Sequence, residues 1–377
     1  MKLFFRLSEI AWLFFKLGTI GFGGPPANIA LMEQETVHKR KWVNQDYFLD
    51  MLAATNLVPG PNAAEMATHL GYVYAGFPGL FTAGFTYILP SFLISLALSV
   101  IYVEYGNLPE IEAIFYGINP IIISIILISS YRLGKGVITD KRKIIIGIGS
   151  LVAAFLGIDE ILLILLAGLA GVLAYQYPYS LICLSPFSPI QLQFFNILLT
   201  SQIKLDKLFL FFLRTGALLF GSGLALFAFI QSDIVTKYGW LTQHELLDAI
   251  TVGQITPGPV SSAATFIGYL IAGLPGAIAA SIGIFLPSFL IVLIVGKWLP
   301  QLRKSIIIQR FLKGVTIGVI ALIFIVALRI SQTAIVDILT FSISLVSLFL
   351  LFRFEIETIW LILVGGIIGL IKLILIN

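Results

Sequence analysis

Long runs of residues without a single charge alternate with short polar loops along this chain. Several runs exceed the roughly 20 apolar residues that a helix needs to cross a bilayer, and glycine and proline interrupt the longest of them. Nine runs carry no Asp, Glu, Lys or Arg: 17–32, 66–103, 113–131, 161–203, 215–232, 249–296, 314–328, 338–352 and 358–371. Because no polar stretch between them is long enough for a soluble domain, the pattern predicts an all-α integral membrane protein.

Composition supports this assignment and narrows the class of protein. Of the 377 residues, 59% are hydrophobic and 11% are charged, whereas soluble domains carry about 25% charged residues. The mean hydropathy of +1.03 excludes a cytoplasmic enzyme, a nucleic-acid-binding protein and a secreted disulfide-rich domain. One cysteine, Cys183, and three scattered histidines give no basis for a disulfide, a metal site or a cofactor.

The chain contains the same sequence pattern twice. Pro59-Gly60-Pro61 recurs as Pro257-Gly258-Pro259 at an offset of 198, and Leu89-Pro90-Ser91 recurs as Leu286-Pro287-Ser288 at an offset of 197. Counterparts in the same order also exist for Phe22-Gly23, Trp42, Asp50, Gly71-Tyr72 and Arg132. Such an ordered series indicates an internal duplication. We therefore predict two repeats and a linker between them, with the boundaries 1–176, 177–206 and 207–377.

The charges of the loops indicate that the two repeats lie in opposite orientations. The loop at 33–46 is basic and its counterpart near 232–244 is not, whereas the acidic loop at 104–112 corresponds to a basic loop at 297–313. Basic loops mark the cytoplasmic side of a membrane protein. Equivalent loops therefore face opposite sides, which predicts inverted-topology repeats, the architecture of many secondary transporters.

Each repeat also has a segment that is too short to cross the membrane and return. The loop orientations require residues 48–75 to contribute an even number of crossings, but two spans would need about 40 residues. We expect this segment to be re-entrant, with Val58-Pro59-Gly60-Pro61 at its tip and Thr256-Pro257-Gly258-Pro259 at the tip of its counterpart. Non-helical backbone persists at membrane depth only where it is buried or lines a watery cavity. Two broken helices at matching positions predict a binding site between the repeats.

A glycine-rich break at a second position in each repeat extends this prediction. Gly23 and Gly24 precede two prolines in the first repeat, and Gly221 and Ser222 lie at the equivalent place in the second. A helix that begins at such a break exposes unpaired N–H groups, which attract an anion. Residues in or just after the two proline turns are candidates to contact the same anion: Gly60, Asn62, Gly258, Ser261 and Ser262. The alternative roles are helix packing for the glycines and helix capping for the polar side chains.

Two basic residues lie at equivalent positions inside otherwise apolar segments. Lys16 and Arg214 align at the offset of 198, each about a turn before a glycine-rich break. Because a cation at membrane depth faces the bundle interior or a cavity, the pair suits a dianion near the repeat interface. The alternative is that both side chains extend to the lipid headgroups.

Acidic residues near the proline turns are assigned two different roles. Glu65 has no acidic counterpart in the second repeat, and we expect it to carry a coupling proton, with assistance from nearby His69. The alternative is that Glu65 is a structural partner of a buried basic residue. Asp50 and Asp248 match each other and lie next to loops, so we expect them to cap the helices that lead into the re-entrant segments.

These motifs together resemble the family of two-domain chromate ion transporters. The motifs that carry the resemblance occur in both repeats: Phe22-Gly23-Gly24-Pro25, Val58-Pro59-Gly60-Pro61-Asn62, Gly71-Tyr72, Phe220-Gly221, Gln254-Ile255-Thr256-Pro257-Gly258-Pro259 and Phe266-Ile267-Gly268-Tyr269. The resemblance covers nearly the whole chain. It implies a multi-pass protein of the bacterial inner membrane that exports chromate and confers chromate resistance. Gly223 and Leu224 replace Pro25 and Pro26, so the two half-sites are expected to differ.

Other functions remain alternatives at this point. Sulfate is a tetrahedral dianion of similar size, so a carrier of sulfate or of another oxyanion is the first of them, and a channel is another. An integral membrane enzyme is a third, but phosphate-binding loops, paired-histidine motifs and a Gly-x-Ser-x-Gly motif are missing from the sequence. The expected partners are a small inorganic oxyanion and the lipid bilayer, with no nucleic acid and with a homodimer left open.

Overall fold

Helices make up the regular structure of the chain. The computed structural model describes residues 2–55, 59–106, 108–176, 204–220, 223–295, 305–354 and 356–376, and all regular elements in these ranges are helical, as the sequence predicts. Most of the predicted linker, at 177–203, lies outside the described residues, as do Val58, Gly221 and Ser222.

The first repeat consists of helices in the order α1 (Lys2–Ile20), α2 (Gly24–Glu33), a π-helical turn (Gln34–Lys39), α3 (Gln45–Thr55), α4 (Asn62–Tyr105), α5 (Pro109–Val137), α6 (Lys141–Phe155) and α7 (Glu160–Gln176). The second repeat has the same order, with α8 (Lys204–Gly216), α9 (Ala225–Phe229), a π-helical turn (Ile230–Lys237), α10 (Gln243–Ile255), a 3₁₀ turn (Val260–Ser262), α11 (Ala263–Val295), α12 (Ile306–Ala334), α13 (Ile338–Arg353) and α14 (Thr358–Ile376). Helix breaks therefore fall at the predicted glycine and proline motifs in both repeats.

Some of these helices are long and apolar enough to cross a bilayer, and others are not. Five candidate spans lie in the described residues: Asn62–Tyr105, Pro109–Val137, Val260–Ile294, Ile306–Ala334 and Thr358–Leu375. By contrast, α3 has 11 residues and α10 has 13. At a rise of about 1.5 Å per residue, each of these two helices is shorter than the roughly 30 Å hydrocarbon core. They are the first halves of broken segments.

Each long helix after a proline turn reverses direction at a glycine. The reversal in α4 lies at Ala75 and Gly76, where Gly76 has φ +65° and ψ −151°. The equivalent reversal in α11 lies at Ala272 and Gly273, with almost the same angles. The two arms of α4 then pack closely, because a Cβ added to Gly71 would lie 2.3 Å from the carbonyl oxygen of Gly79. Small residues permit this close approach of helix backbones within a membrane.

The contacts between the repeats show that equivalent helices run in opposite directions. Along α5 and α13 the contacts advance together, from Ser124 with Ser344 to Tyr131 with Phe352. The start of α5, at Pro109 and Glu112, lines the same cavity as the end of α12, at Thr333 and Ala334, so α12 runs antiparallel to α5, its repeat equivalent. Buried hydrophobic residues from both repeats form one core at this interface. The fold is therefore a helical membrane protein of two inverted repeats.

Candidate functional site

Each proline-glycine turn is hydrogen-bonded to the glycine-rich break of the opposite repeat. The N–H of Gly60 donates to the carbonyl oxygen of Leu219 at 2.7 Å, and the N–H of Gly258 donates to the carbonyl oxygen of Gly21 at 2.8 Å. Gly21 and Leu219 are equivalent at the offset of 198, as are Gly60 and Gly258. The two crossed hydrogen bonds therefore bring the broken elements of both repeats together at the repeat interface.

Buried serines lie against both turns and leave little room for a side chain at either glycine. A Cβ added to Gly258 would lie 3.2 Å from Ser91 Cβ, and one added to Gly60 would lie 2.5 Å from Ser288 Oγ. Ser91 and Ser288 are repeat equivalents. Gly60 and Gly258 also have φ values of +150° and +94°, which favour glycine. Because their N–H groups are already bonded, these glycines contribute close approach rather than free donors.

Four polar side chains near the turns are buried without a hydrogen-bond partner in the described part of the chain. They are Glu65, Ser261, Ser262 and Ser288, each at most 1% exposed. Buried polar groups in proteins are normally paired. Unpaired hydroxyl groups at a repeat interface are free to donate to a polar ligand, and the unpaired carboxyl group is free to bind a proton.

Glu65 lies beside the first proline turn, together with Ser288. A Cβ added to Gly60 would lie 2.1 Å from Glu65 Oε1, so the Glu65 carboxyl group and the Ser288 hydroxyl group flank the same backbone position. His69 follows one helical turn later on the same face of α4, and its buried Nδ1 is also unpaired. Within the described ranges no basic residue forms an ion pair with Glu65. The alternative role, as partner of a buried basic residue, therefore has no support in these ranges.

The other predicted ligand residues occupy the helix starts. Gly23 is the N-cap of α2 with φ +94°, and Gly24 follows it with φ +77°. Asn62 is the first residue of α4, after Pro61 as N-cap. Ser261 and Ser262 form the 3₁₀ turn that leads into α11, but their hydroxyl groups do not cap it, since both are unpaired. Gly221 and Ser222 are outside the described residues, so the second glycine-rich break is represented by the buried Gly223.

Lys16 and Arg214 form equivalent ion pairs with carboxylates that sequence reasoning had not assigned. Lys16 Nζ lies 3.6 Å from Glu35 Oε1, and Arg214 pairs with Asp233. Both carboxylates stand in the π-helical turns and are themselves equivalent at the offset of 198. The cationic side chains remain 47% and 42% exposed. A search of the sequence for charges matched at this offset would have found both partners.

The environment of Glu35 keeps this carboxyl group ionised. Burial opposes the charged form, but hydrogen bonds from Lys39 and Arg40 hold the pKa of Glu35 below its usual value. Lys39 Nζ lies 3.0 Å from Glu35 Oε1. Lys16 therefore shares the Glu35 carboxylate with Lys39 and Arg40, and the ion pair neutralises the charge of Lys16 only in part.

The predicted capping role of Asp50 and Asp248 is wrong. Asn44 and Thr242, which are repeat equivalents, accept the capping hydrogen bonds at the starts of α3 and α10. Asp50 is an exposed residue within α3, whereas Asp248 is 1% exposed and accepts hydrogen bonds from Tyr102 and Asn119 of the first repeat. The prediction failed because a position next to a loop does not reveal which residue caps the start of the helix.

Comparison with known proteins identifies the family. A sequence family described as chromate transporter matches residues 8–172 and 207–370, which together are most of the chain. The chain belongs to the chromate transporter family. It is 36% identical over 302 residues to a probable chromate transport protein of Synechococcus elongatus, covering 77% of this chain and 76% of the relative. It is also 36% identical over 298 residues to the chromate transport protein of Cupriavidus metallidurans, covering 77% and 74%.

Another relative bears on the internal duplication of this chromate transporter family protein. The chain is 32% identical over 168 residues to an uncharacterized transporter of Bacillus subtilis, covering 44% of this chain but 94% of the relative. A protein of about one repeat therefore exists separately. No solved structure gives a significant match to the chain. The family and the apolar helices together make the chain a multi-pass membrane protein.

Proposed function

We propose that this chain is a secondary active transporter that exports chromate across the cytoplasmic membrane of a bacterial cell. The relatives from Synechococcus elongatus and Cupriavidus metallidurans are named for chromate transport, which supports chromate as the substrate. The crossed pairing of Gly60 with Leu219 and of Gly258 with Gly21 supports a substrate site between the repeats. When two inverted repeats move against each other, a site between them opens first to one side of the membrane and then to the other.

The oxyanion is bound by neutral donors at the ends of the broken helices. The Ser261, Ser262 and Ser288 hydroxyl groups are buried and unpaired, and hydroxyl donors suit the oxygen atoms of a tetrahedral anion. The start of α2 at Gly23 and Gly24 adds backbone N–H groups. Gly60 and Gly258 allow the proline turns to approach these donors. Asn62, at the start of α4, is a further proposed donor. Gly221 and Ser222 are the proposed counterparts of Gly23 and Gly24 in the second repeat, on the basis of the sequence.

Lys16 and Arg214 attract the dianion to the two glycine-rich breaks. Each lies about a helical turn before a break and remains partly exposed while paired with a carboxylate. In an inverted repeat these two positions face opposite sides of the membrane. One cation therefore stands near each entrance, where it concentrates chromate ahead of the neutral site.

Glu65 couples transport to protons. An ionised carboxylate without a partner is costly to bury, and a dianion bound nearby would repel it further. Binding of a proton to Glu65 and binding of chromate near Ser288 are therefore mutually favourable, which is a thermodynamic linkage between the two ligands. Through this linkage a proton and the anion cross the membrane together. Their complex keeps a net negative charge, so an inside-negative membrane potential favours its export.

Chromate accumulation in cells tests the proposed function. A chromate-sensitive bacterium that expresses the chain should accumulate less radiolabelled chromate and grow at higher chromate concentrations than cells with an empty vector. The Ser261→Ala/Ser262→Ala double variant, expressed at the same membrane level, should lose most of this protection. Equal accumulation in cells with and without the wild-type protein would contradict chromate export.

A further inference from the structure

A buried polar network joins the two repeats at a place that the proposed oxyanion site does not use. Asp248 of α10 accepts a hydrogen bond from Tyr102 Oη at 2.7 Å and another from Asn119 Nδ2 at 3.1 Å. Thr251 donates to Asn119 Oδ1 at 2.8 Å, which fixes the orientation of the amide group. Three residues of this network are at most 5% exposed: Asn119, Asp248 and Thr251. The network therefore holds an oriented carboxyl group within the protein.

His244 connects this carboxyl group to the outside. Its Nδ1 lies 2.9 Å from Asp248 Oδ2, while its side chain remains 62% exposed in the first turn of α10, outside the five candidate spans. A cavity of about 520 Å³ between α5, α10, α12 and α14 is lined by both His244 and Asn119. The hydrogen bond to Asp248 raises the pKa of His244, although burial opposes this shift. The imidazole ring therefore lies between the cavity and the buried Asp248 carboxyl group.

The other charged and titratable groups around this pair make its setting acidic. Carboxylates at 112 and 245 also favour the protonated form of His244. The cation that lines the same cavity, Lys372, is held by Asp337 at 3.0 Å. The groups facing the pair from the surrounding helices are Tyr102 of α4, Glu112 and Tyr116 of α5, Glu245 of α10, and Lys372 of α14.

A stripe of buried hydroxyl groups runs from this network toward the oxyanion site. Ser91, Ser95 and Ser99 are each 0% exposed, and with Tyr102 they lie on one face of α4 at helical spacing. Ser95 Oγ lies 3.4 Å from Thr256 Oγ1, at the end of α10. At the far end of the stripe Ser91 packs against Gly258. The stripe therefore extends from Asp248 to the second proline turn.

Among the described residues, this arrangement occurs in one of the two pairings between the repeats. The positions equivalent to His244 and Asp248 are Asp46 and Asp50, and both are exposed. The positions equivalent to Ser95, Ser99 and Tyr102 are occupied by Val292, Gly296 and Leu299. Helix packing alone does not require these polar groups, because apolar residues occupy the equivalent positions in the other repeat. The hydroxyl stripe and the buried carboxyl group are therefore a specialised feature of one side of the transporter.

We propose that His244 and Asp248 form a second proton-binding site, reached from the cavity. The pair takes up one proton from the aqueous side. Ser91 and Ser99 of the stripe donate to carbonyl oxygens of α4, so the stripe connects the pair to the proline turn at Gly258 as a packed polar face of this helix. The use of this site in transport rests on the proposed function, whereas its proton chemistry does not.

Histidine NMR tests the proton site without any transport assay. The chain has three histidines, so ring-labelled protein in detergent gives few signals, and His244→Gln assigns the one of interest. The midpoint of the pH titration of the His244 ring signals should fall toward the ordinary pKa of 6.5 in Asp248→Asn. It should be unchanged in the matched control Asp50→Asn. Because Asp248→Asn removes a buried acceptor and could reduce folding, Tyr102→Phe is a second probe. Loss of this donor makes Asp248 a stronger base, so the His244 midpoint should rise.

A His244 titration midpoint that is the same in wild type, Asp248→Asn and Tyr102→Phe would overturn the proton site.

Transport tests the use of the site separately. In proteoliposomes, His244→Gln should slow chromate transport driven by a pH gradient about tenfold, within the range lost when a proton-transfer group is removed, while chromate counterflow without a gradient continues. Asp46→Asn is the control, because Asp46 is the exposed equivalent of His244 in the first repeat. Unchanged gradient-driven transport in His244→Gln would overturn the use of this site in transport. Failure of the wild type to move chromate would instead contradict the proposed function and leave the NMR result standing.

Discussion

The backbone N–H of Gly60 donates to the carbonyl oxygen of Leu219 at 2.7 Å, across the interface between the two repeats. Its mirror contact, from Gly258 to Gly21, has almost the same length of 2.8 Å. Each bond joins the tip of one broken segment to the break of another. If the repeats move against each other as proposed, the movement must stretch or exchange these two bonds.

Alanine at Gly60 should be more damaging than alanine at an exposed glycine that also has a positive φ. Gly60→Ala adds both the strain of a positive φ and a Cβ that would lie 2.1 Å from Glu65 Oε1. We expect a loss of about 2 kcal/mol or more in unfolding free energy. In Gly157→Ala, φ is +77° but no atom lies within 4 Å of the added Cβ, so the loss should be only about 1 kcal/mol. Thermal unfolding in detergent measures both, and equal losses would contradict the crossed-turn packing.

Removal of the Lys16 or Arg214 cation should weaken transport by protein that still folds. Lys16→Ala and Arg214→Ala should each lower chromate transport per folded molecule by about tenfold, a barrier change of about 1.4 kcal/mol. Because the carboxylate partners of both cations are nearly buried, loss of a cation also lowers stability, and the amount of folded protein is measured alongside. Arg214→Lys should retain part of the activity if charge matters more than guanidinium geometry. Lys237→Ala, which removes an exposed cation in the same repeat, is the control.

The ion pair with Asp233 permits a sharper version of this test. If Arg214 serves only to neutralise Asp233, the double variant Arg214→Asp/Asp233→Arg should restore transport lost in Arg214→Asp. If Arg214 attracts the oxyanion, the double variant should remain impaired although it folds. Transport per folded molecule distinguishes these outcomes, and full recovery would leave Arg214 with a structural role only.

Replacement of Glu65 by glutamine should separate anion binding from proton coupling. Glu65→Gln keeps the shape of the side chain but cannot gain or lose a proton, so chromate should still bind while the response to a pH gradient disappears. Transport per folded molecule from about pH 6 to pH 8 covers the range in which a buried carboxyl group can titrate. His69→Gln is the matched neighbour and should alter the rate less. A reduced amount of folded protein with unchanged pH dependence would assign Glu65 a structural role.

The His244–Asp248 pair should make stability depend on pH in a defined direction. The folded-state pKa of His244 is raised by Asp248, so the stabilisation is fully present below the unfolded pKa of about 6.5. It is lost as the pH rises through the folded pKa. Wild type should therefore lose more thermal stability than His244→Gln over that interval. Parallel stability curves for the two proteins would show that the pair contributes nothing.

The orientation of the repeats is testable by labelling single cysteines in a Cys183→Ser background. Arg40→Cys, Arg142→Cys and Arg303→Cys should be labelled from the cytoplasmic side, and Asn107→Cys and Tyr238→Cys from the outside, by the positive-inside rule. Positions 107 and 303 lie in equivalent loops of the two repeats. Labelling of both from the same side would contradict the inverted arrangement in the membrane.

Sequence patterns predicted the helical class, the duplication and the positions of the breaks, because each of these has a local signal. Pro59-Gly60-Pro61 and Gly23-Gly24 cannot continue a helix, and the structure breaks at both. The pairing of Gly60 with Leu219 could not be predicted, since it is a contact between distant backbone groups and leaves no mark on side-chain identity. Glu35 and Asp233 were missed although their shared offset of 198 marks them.

The Asp248 network shows where a repeat-based argument fails. Matching Asp248 with Asp50 suggested one role for both, but their burial differs completely because the surrounding residues differ. Tyr102 and Asn119 supply the hydrogen bonds to Asp248, and Leu299 and Thr316 stand at their equivalent positions in the second repeat. Equivalence in a duplicated chain therefore predicts backbone geometry more securely than it predicts side-chain chemistry.

Chromate transport by the purified protein is the most direct test of the central claim. In proteoliposomes with an imposed pH gradient, uptake of radiolabelled chromate should saturate, should be stimulated by the gradient and should be competed by unlabelled chromate more strongly than by sulfate. The Ser261→Ala/Ser262→Ala/Ser288→Ala variant, which removes the three buried unpaired hydroxyl groups, should lose this uptake while remaining folded. Saturable sulfate uptake without chromate uptake would assign a different oxyanion, and chromate uptake that survives in the triple variant would contradict a binding site at the crossed turns.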